Sequence, residues 1–447
     1  MNVTLINVPD SDVYQKFKRP EIKNLPLGLA YIAGSLEKAE HNVTIVDGCV
    51  EQMSIDGIVE KVLNTNPELV GTSATTPVIS NALEVLEKIK WNDPSIATVI
   101  GGPHISATAS QTISDNTNVV DFAVVGEGEN TILEIIDYLD GNRDLEHIDG
   151  LVYFTKGAIC KGNSRKLIDD LDTIPFPARH LFDVGKYVNA IRFDGTKPPI
   201  SLTSSRGCFG KCTFCGSQTT WGRKVRFRSP QNIIDEIKYC HKNYGSTSFI
   251  FVDDTFTANR KHVIDTCKLI IKLPFQVEMF CSSRVDTIDD EKLDWLKQAG
   301  CDCITYGIES GDTDILKIMK KNTTVDMIRK AVDITKGHRI KTHGSFILGN
   351  FGDTHDTINA TVDLAINLGL DQAQFTVLIP LPGTECYEQA IEFDRFKCEP
   401  EDFKSFFWYY SVVANMTDGV TDEELLNYQK EAYRKFRLSK SLKLGDI

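Results

Sequence analysis

Short apolar runs alternate with stretches of helical periodicity through the first third of the chain. Five runs rich in β-branched residues predict strands: Val3–Val8, Val43–Val46, Leu69–Thr72, Thr98–Ile100 and Phe122–Val125. Between the first two, Leu29, Ile32, Ala33 and Leu36 follow the i, i+3, i+4, i+7 spacing of an amphipathic helix. The alternation predicts a doubly wound, Rossmann-like α/β domain over residues 1–145, with its ligand at the carboxyl ends of the strands.

Small and polar residues follow the third, fourth and fifth of these predicted strands. They are Thr72, Ser73, Gly101, Gly102, His104, Gly126 and Glu127. Glycine allows a ligand to approach the backbone closely, so these residues are candidate cofactor contacts. Ordinary turn chemistry is the alternative explanation for each glycine cluster.

A second alternation of strands and helices covers residues 199–395. Its strands are predicted at Pro199–Ser204, Ser248–Val252, Gln276–Cys281, Cys303–Tyr306, Lys341–Leu348 and Gln374–Leu378. Six βα units predict an open, partial (β/α)6 barrel, which would gather polar strand-end residues on one rim. These residues are Asp253, Asp254, Arg284, Glu309 and Gly352. Taken singly, the aspartates could cap a helix, and Glu309 and Arg284 could be solvated surface charges.

Two further segments differ in composition from these domains. Residues 146–198 hold a predicted hairpin around Lys156-Gly157 and the pair Pro175 and Pro177, which predicts an extended linker. Residues 396–447 form a mainly helical extension, with a predicted helix at Glu423–Phe436. Its dense aromatic residues either close the open barrel or line an apolar substrate pocket. They are Phe403, Phe406, Phe407, Trp408, Tyr409 and Tyr410.

Three cysteines stand close together in the segment 206–217. Cys208, Cys212 and Cys215 are spaced C-x3-C-x2-C, with glycines at 207, 210 and 216. Structural zinc normally takes four protein ligands, and no second pair of cysteines or histidines follows at a suitable spacing. Three thiolates favour an iron–sulfur cluster, which would keep one iron open to a substrate or cofactor. A structural metal knuckle or three ordinary buried thiols are the alternatives.

Composition and charge narrow the class of protein. The 447 residues are 41% hydrophobic and 25% charged, which is typical of soluble globular proteins. A net charge of −13 argues against a general nucleic-acid binder. The 12 cysteines are scattered, and the chain shows neither a signal peptide nor an apolar run of about 18 residues. We therefore expect a cytoplasmic enzyme with no transmembrane segment.

The cysteine loop resembles the signature of the radical S-adenosylmethionine (radical SAM) enzymes, with Phe214 as the aromatic residue before the last cysteine. The resemblance implies a [4Fe–4S] cluster held by Cys208, Cys212 and Cys215, whose open iron binds S-adenosylmethionine. It also implies that Arg284 and Glu309 face S-adenosylmethionine and that Gly352 lines its adenosyl end. Asp253 and Asp254 would then face the substrate as catalytic residues.

The first domain resembles the cobalamin-binding domain that precedes many radical SAM enzymes. The matching pieces are Leu25-Pro26-Leu27-Gly28-Leu29, Asp47-Gly48, Thr72-Ser73-Ala74-Thr75, Gly101-Gly102-Pro103-His104 and Val125-Gly126-Glu127-Gly128-Glu129. The motif Asp-x-His-x-x-Gly, whose histidine ligates cobalt in many cobalamin proteins, does not occur. The resemblance therefore implies cobalamin without a histidine on cobalt, or a domain that has lost the cofactor, and His104 is either a corrin contact or a structural turn residue.

Together these features predict a cobalamin-dependent radical SAM enzyme that methylates an unactivated carbon. A flavodoxin- or ferredoxin-type electron donor and a small-molecule or lipid-like substrate would be its partners. The alternative is a cyclase or oxidoreductase like the anaerobic magnesium-protoporphyrin ester cyclase, without net methylation. A methylthiotransferase would need six cysteines for two clusters, and a non-catalytic cofactor-binding module would not need polar residues at six strand ends.

Overall fold

A computed structural model describes residues 1–9, 24–187, 199–406 and 411–440. The chain forms two compact units. The first comprises Met1–Pro198 together with Gly216–Gly222, and the second comprises Pro199–Cys215 together with Arg223–Ile447. The segment 216–222, which directly follows the last cysteine of the loop, is thus part of the first unit.

The first unit is built on a seven-stranded sheet in the order β2-β1-β3-β4-β5-β6-β7. Its strands are β1 (Asn2–Asn7), β2 (Asn42–Asp47), β3 (Leu69–Ser73), β4 (Ala97–Gly101), β5 (Phe122–Val124), β6 (Leu151–Thr155) and β7 (Ala158–Lys161). The first five strands pair in parallel, and β6 pairs antiparallel with both β5 and β7. From β1 the chain adds β2 on one side and then β3, β4 and β5 on the other, so the strand order reverses between β1 and β3. Doubly wound proteins bind ligands at such a point. The predicted doubly wound domain is confirmed.

The helices of the first unit are α1 (Leu27–Lys38), α2 (Ile55–Leu63), α3 (Ile79–Asn92), α4 (Pro103–Asp115), α5 (Glu129–Leu139) and α6 (Ser217–Trp221). Most of them pack on this sheet, and the short α6 packs on α4. Leu29, Ala33 and Leu36 of the predicted stripe on α1 are buried in one core with Ile135 of α5. The 3.6-residue period of α1 therefore fixes which face of this helix meets the sheet.

The hairpin predicted around Lys156-Gly157 is present as β6 and β7. Both turn residues have positive φ, 50° and 78°, as the tight turns that match strand twist require. Because β6 pairs with β5, the hairpin extends the sheet of the first unit. The domain boundaries placed at residues 145, 198 and 395 stay predictions.

The second unit contains six parallel strands in the order β15-β14-β13-β12-β11-β8. The strands are β8 (Ile200–Leu202), β11 (Ser248–Phe251), β12 (Glu278–Ser283), β13 (Cys301–Glu309), β14 (Lys341–Leu348) and β15 (Gln372–Val377). A separate antiparallel pair is formed by β9 (Ser205–Arg206) and β10 (Arg226–Phe227). Each strand of the six-stranded sheet pairs with the preceding one of that sheet along the chain, as the predicted partial barrel requires. The predicted fold class is confirmed.

Helices alternate with these strands. They are α7 (Pro230–Tyr244), α8 (Arg260–Ile270), α9 (Asp290–Gln298), α10 (Thr313–Ile318), α11 (Val325–Gly337), α12 (His355–Asn367) and α13 (Glu385–Glu392). The predicted C-terminal helix is α14 (Asp422–Ser439), which begins with a capping box between Thr421 and Glu424. Gln429 of α14 donates a hydrogen bond of 3.0 Å to the carbonyl of Phe375 on β15, so the helix covers the last strand.

The aromatic residues of the C-terminal extension are only partly described. Phe406 is fully buried and its ring lies 5.4 Å from that of Phe403 and 6.1 Å from that of Phe396. These contacts favour packing for Phe403 and Phe406. The remaining predicted residues, Phe407, Trp408, Tyr409 and Tyr410, lie outside the described residues. No helix in the described part of the chain is both long and apolar enough to span a membrane.

Candidate active site

The three cysteines lie on the loop between β9 and α6. Gly207 turns the chain out of β9 with a φ of 95°, which only glycine adopts without strain. A Cβ atom on Gly210 would lie 3.3 Å from Cys208 Sγ and 3.8 Å from Cys212 Sγ, so the loop closes tightly around these two sulfurs. Cys212 is buried, Cys208 and Cys215 are half-buried, and none forms a disulfide.

The predicted Arg284 lies beside this loop. Its Nη1 is 3.9 Å from Cys212 Sγ, and its guanidinium carbon is 5.4 Å from the centre of the Phe209 ring. Asp286 accepts hydrogen bonds of 2.9 and 2.8 Å from the same guanidinium, which fixes its plane. Nη2, which is one of the two nitrogens that donate to Asp286, also donates to the Lys321 carbonyl at 2.7 Å.

The predicted Glu309 forms a buried ion pair with Lys321, at 2.7 Å between Oε1 and Nζ. Glu309 ends β13 with a φ of 70°, a left-handed conformation that is uncommon for a residue with a side chain. Such strain persists where surrounding contacts hold it, and it clusters at functional sites. Lys321 was missed in the sequence because neither its spacing nor its neighbours set it apart from the adjacent Lys320.

These residues fit an iron–sulfur cluster. Burial raises the pKa of the Cys212 thiol, while Lys321 and Arg284 act in the opposite direction and favour the thiolate. Among the described residues, no three His, Cys, Asp or Glu side chains converge as the ligands of one metal ion do. Cluster ligands need not converge in this way, because each thiolate binds a different iron.

Asp253 supports the backbone that leads into the cysteine loop. The residue is 3% exposed and accepts hydrogen bonds from the Ser204 amide at 3.1 Å and the Ser204 hydroxyl at 2.7 Å. The hydroxyl of Ser205 in β9 also donates to it. Burial raises the pKa of the Asp253 carboxyl, and the two serines oppose this shift. These contacts describe an anchor for β9, so a direct substrate contact of Asp253 stays a prediction.

The other predicted residues of the second unit have varied surroundings. Asp254 is exposed, and its carbonyl accepts a hydrogen bond from Thr255, whose hydroxyl lies 3.7 Å from Cys208 Sγ. Gly352 is exposed in the turn after β14 with a φ of 81°. Phe214 packs in the apolar cluster that contains Leu378 and Met416. The predicted roles of Asp254, Gly352 and Phe214 stay predictions.

In the first unit, a cavity of about 370 Å³ opens at the carboxyl ends of β1, β3, β4 and β5. Six of the predicted contacts line it: Thr72, Ser73, Gly101, Gly102, Gly126 and Glu127. Gly102 has a φ of 100°, and a Cβ atom there would lie 2.5 Å from Ser73 Oγ. Glycine at this position therefore allows the positive φ and the close packing of the chain against Ser73 and Ala74 at the edge of the cavity.

His104 is placed differently from the other predicted contacts. It is 2% exposed, does not line the cavity, and its Nδ1 lies 3.3 Å from Thr76 Oγ1. Burial lowers the pKa of the imidazole to about 4, so the ring is neutral. Of the two roles considered for His104, the structure favours the structural one. The described residues that line the cavity include no histidine.

Thr220 and Trp221 at the end of α6 also line this cavity. They were missed in the sequence because they follow the cysteine loop, far from the strands that form the rest of the cavity. Glu127, which also lines the cavity, is held in place because its carboxylate accepts a hydrogen bond of 2.7 Å from the amide of Ile168.

Comparisons with known proteins identify both units. Residues 202–365 match the model of the Radical SAM superfamily, and residues 22–136 match that of the B12 binding domain. An uncharacterized methyltransferase of Pyrococcus horikoshii is 36% identical over 82% of this chain and 78% of its own length. The anaerobic magnesium-protoporphyrin IX monomethyl ester cyclase of Rubrivivax gelatinosus is 29% identical over 93% of this chain and 74% of its own.

A solved structure shows the same fold. The radical SAM methyltransferase TsrM from Kitasatospora setae, solved with cobalamin and a [4Fe-4S] cluster, superposes with a TM-score of 0.75. The match covers 96% of this chain and 90% of TsrM at 17% identity, so it concerns the fold alone.

Proposed function

Because the chain belongs to the radical SAM enzymes that carry a B12 binding domain, we propose that it is a cobalamin-dependent C-methyltransferase acting on an unactivated carbon. The observation that carries the proposal is the presence on one chain of two different cofactor sites. One is a three-cysteine loop with the guanidinium of Arg284 beside it, and the other is a glycine-lined cavity at parallel strand ends. The relative of 36% identity named as a methyltransferase supports the reaction class.

When bound, the [4Fe–4S] cluster supplies the electron that cleaves S-adenosylmethionine, and cobalamin supplies a carrier for the methyl group. Cys208, Cys212 and Cys215 are the proposed cluster ligands. The residues that line the cavity of the first unit, among them Thr72, Gly102 and Trp221, are the proposed cobalamin contacts. A histidine ligand to cobalt is not proposed, because the described lining contains none.

The residues beside the cysteine loop would orient S-adenosylmethionine. The planar guanidinium of Arg284, held by Asp286, is suited to a carboxylate, and the Glu309 carboxylate is suited to hydroxyl donors. Both groups are already fixed by neighbouring residues, which lowers the entropy cost of binding in one orientation. An external flavodoxin- or ferredoxin-type electron donor, a small-molecule or lipid-like substrate and a cytoplasmic location belong to this proposal.

A cyclase without net methylation is the second candidate, and the 29% identity to the Rubrivivax gelatinosus cyclase favours it. The two reactions differ in what they release from S-adenosylmethionine. Methyl transfer consumes one molecule for the methyl group and one for hydrogen abstraction, so it releases S-adenosylhomocysteine and 5′-deoxyadenosine. A cyclase uses only the second and releases 5′-deoxyadenosine and methionine.

The test incubates the reconstituted enzyme anaerobically with a reductant, S-adenosylmethionine and a metabolite extract. We expect extract-dependent S-adenosylhomocysteine and 5′-deoxyadenosine in comparable amounts. Substrate-dependent 5′-deoxyadenosine without S-adenosylhomocysteine would overturn the methyltransferase and favour the cyclase. In Arg284→Ala both products should fall together, whereas Arg260→Ala, which removes an exposed arginine paired with Asp289, should leave them unchanged.

A further inference from the structure

Lys321 is a buried cation that the proposed function has not yet used. The residue is 5% exposed, and its ammonium pairs with Glu309, which is 6% exposed. Taking both charges out of water is costly, and replacing a buried ion pair by apolar residues is often neutral or stabilising. Stability alone therefore gives little reason for an ion pair at this position.

The backbone around Lys321 is shaped to turn its side chain inward. Lys320 and Asn322 on either side have φ values of 52° and 56°, both in the left-handed region. Lys320 points outward and pairs with Glu385 at the surface, whereas Lys321 points inward to Glu309. Residues with side chains rarely adopt such angles. Two of them in one short turn indicate that surrounding contacts hold the backbone in an unfavourable conformation.

Gly307 makes room for the ion pair. A Cβ atom at this position would lie 2.5 Å from Glu309 Oε1 and 2.8 Å from Lys321 Nζ. Gly307 does not have a positive φ, so its backbone conformation does not require glycine. Glycine is needed here because a side chain would not fit beside the ion pair. Any larger residue here would displace the two charged groups.

Lys321 is charged and lies on a turn that is hydrogen-bonded to the cysteine loop. Glu309 holds the pKa of Lys321 above its usual value although burial works against the charge, so the side chain is cationic. The carbonyl of Met319, two residues before Lys321, accepts a hydrogen bond of 3.0 Å from the amide of Thr213, the residue that follows Cys212. Arg284 also donates a hydrogen bond to the Lys321 carbonyl, so the same residue holds both cations in place.

We propose that Lys321 is a positioning residue that raises the reduction potential of the cluster on Cys208, Cys212 and Cys215. Glu309 lowers this potential and so partly offsets the effect of Lys321. The inference rests on the cluster assignment of the proposed function. Reduction adds a negative charge to the cluster, and a fixed positive charge nearby in a poorly solvated site stabilises the reduced form. A carboxylate at the same place stabilises the oxidised form.

The two partners of the pair should therefore shift the potential in opposite directions. Lys321→Met keeps the length of the side chain without its charge and should lower the midpoint potential of the cluster. Glu309→Gln leaves the cation unopposed and should raise it. A loop that is merely loosened would shift the potential in the same direction in both variants. The midpoint is measured on the reconstituted protein without S-adenosylmethionine, by redox titration followed by electron paramagnetic resonance.

Three further variants complete the design. Lys320→Met removes the neighbouring surface charge and should keep the wild-type potential. Lys321→Arg keeps the charge and should restore a potential near that of the wild type. If Lys321→Met does not fold because Glu309 is left buried and unpaired, Lys321→Met with Glu309→Gln removes both charges. This double variant should have a lower potential than Glu309→Gln, because the two proteins differ only in the charge at Lys321.

Iron and sulfide content separates this inference from the cluster assignment. A wild-type protein that binds no cluster after anaerobic reconstitution refutes the proposed function itself. With a cluster present, equal potentials for the wild type and Lys321→Met, or for Glu309→Gln and the double variant, would overturn the role of Lys321. A shift of the same sign in Lys321→Met and Glu309→Gln would also overturn it.

Discussion

At the scale of single residues, His104 is a buried base that stays neutral. It is 2% exposed, and burial lowers the pKa of its imidazole to about 4. In the unfolded chain the same ring takes up a proton near pH 6.5, at about the usual pKa of histidine. Between these two values the unfolded state binds more protons than the folded state. The free energy of unfolding therefore falls as the pH drops through this window.

We expect the titration of His104 alone to lower the free energy of unfolding by about 2 kcal/mol as the pH falls from 6.5 to 5. In this window each pH unit contributes about 1.4 kcal/mol. In His104→Leu this share of the pH dependence should disappear. His147→Leu is the control, because the side chain of His147 is exposed. Urea unfolding of the cofactor-free protein at pH 7 and pH 5 measures the difference. An unchanged pH dependence in His104→Leu would contradict the buried neutral ring.

Residues whose role depends on local spacing could be predicted from the sequence, and residues whose role depends on a distant partner could not. Cys208, Cys212 and Cys215 stand within one loop, so their spacing alone indicates a three-thiolate site. The role proposed for Lys321 depends on Glu309, twelve positions earlier, and on a turn that directs Lys321 inward. Its adjacent neighbour Lys320 looks the same in the sequence and lies at the surface.

At the scale of elements, the short helix α6 contributes residues to the cavity of the first unit, and this contribution can be tested. Trp221 at its end lines the cavity proposed for cobalamin. Aromatic contacts contribute about 0.5–1.5 kcal/mol beyond the area they bury, so Trp221→Ala should weaken hydroxocobalamin binding about tenfold. Trp91→Ala is the matched control, because Trp91 is 88% exposed. Titration followed by visible absorbance gives both affinities, and equal values would exclude Trp221 from the cofactor site.

The strands could be predicted because each is a compact apolar run, but their ends are less certain. The run Gln276–Cys281 predicts a strand that in the structure is Glu278–Ser283. The strand continues into the polar Ser282 and Ser283 because β13 pairs with both residues. The two-residue strands β9 and β10 have no periodicity to detect, and they form because Ser205 and Arg206 meet the distant pair Arg226 and Phe227.

At the scale of the whole molecule, the predicted family, fold class and set of cofactors are confirmed by the comparisons. The order of elements along the chain carries this information, because doubly wound domains and partial barrels differ in how consecutive strands pair. Which unit receives residues 216–222 depends on contacts distant in sequence, so it could not be read from the chain. Thr220 and Trp221 could not be predicted as cobalamin contacts for the same reason, because they are distant in sequence from the other residues of the cavity.

The central claim is that one chain binds a cluster and cobalamin at two separate sites, and cofactor content after anaerobic reconstitution tests it most directly. The wild type should hold about four irons and four sulfides, as one [4Fe–4S] cluster contains, together with one cobalamin. Replacing Cys208, Cys212 and Cys215 by Ala should remove the iron and sulfide and leave cobalamin bound. As a control, alanine at the half-buried Cys49, Cys160 and Cys398 should leave the iron and sulfide content at the wild-type level. Retention of a full cluster in the first triple variant, or absence of cobalamin from the wild type, would contradict the claim.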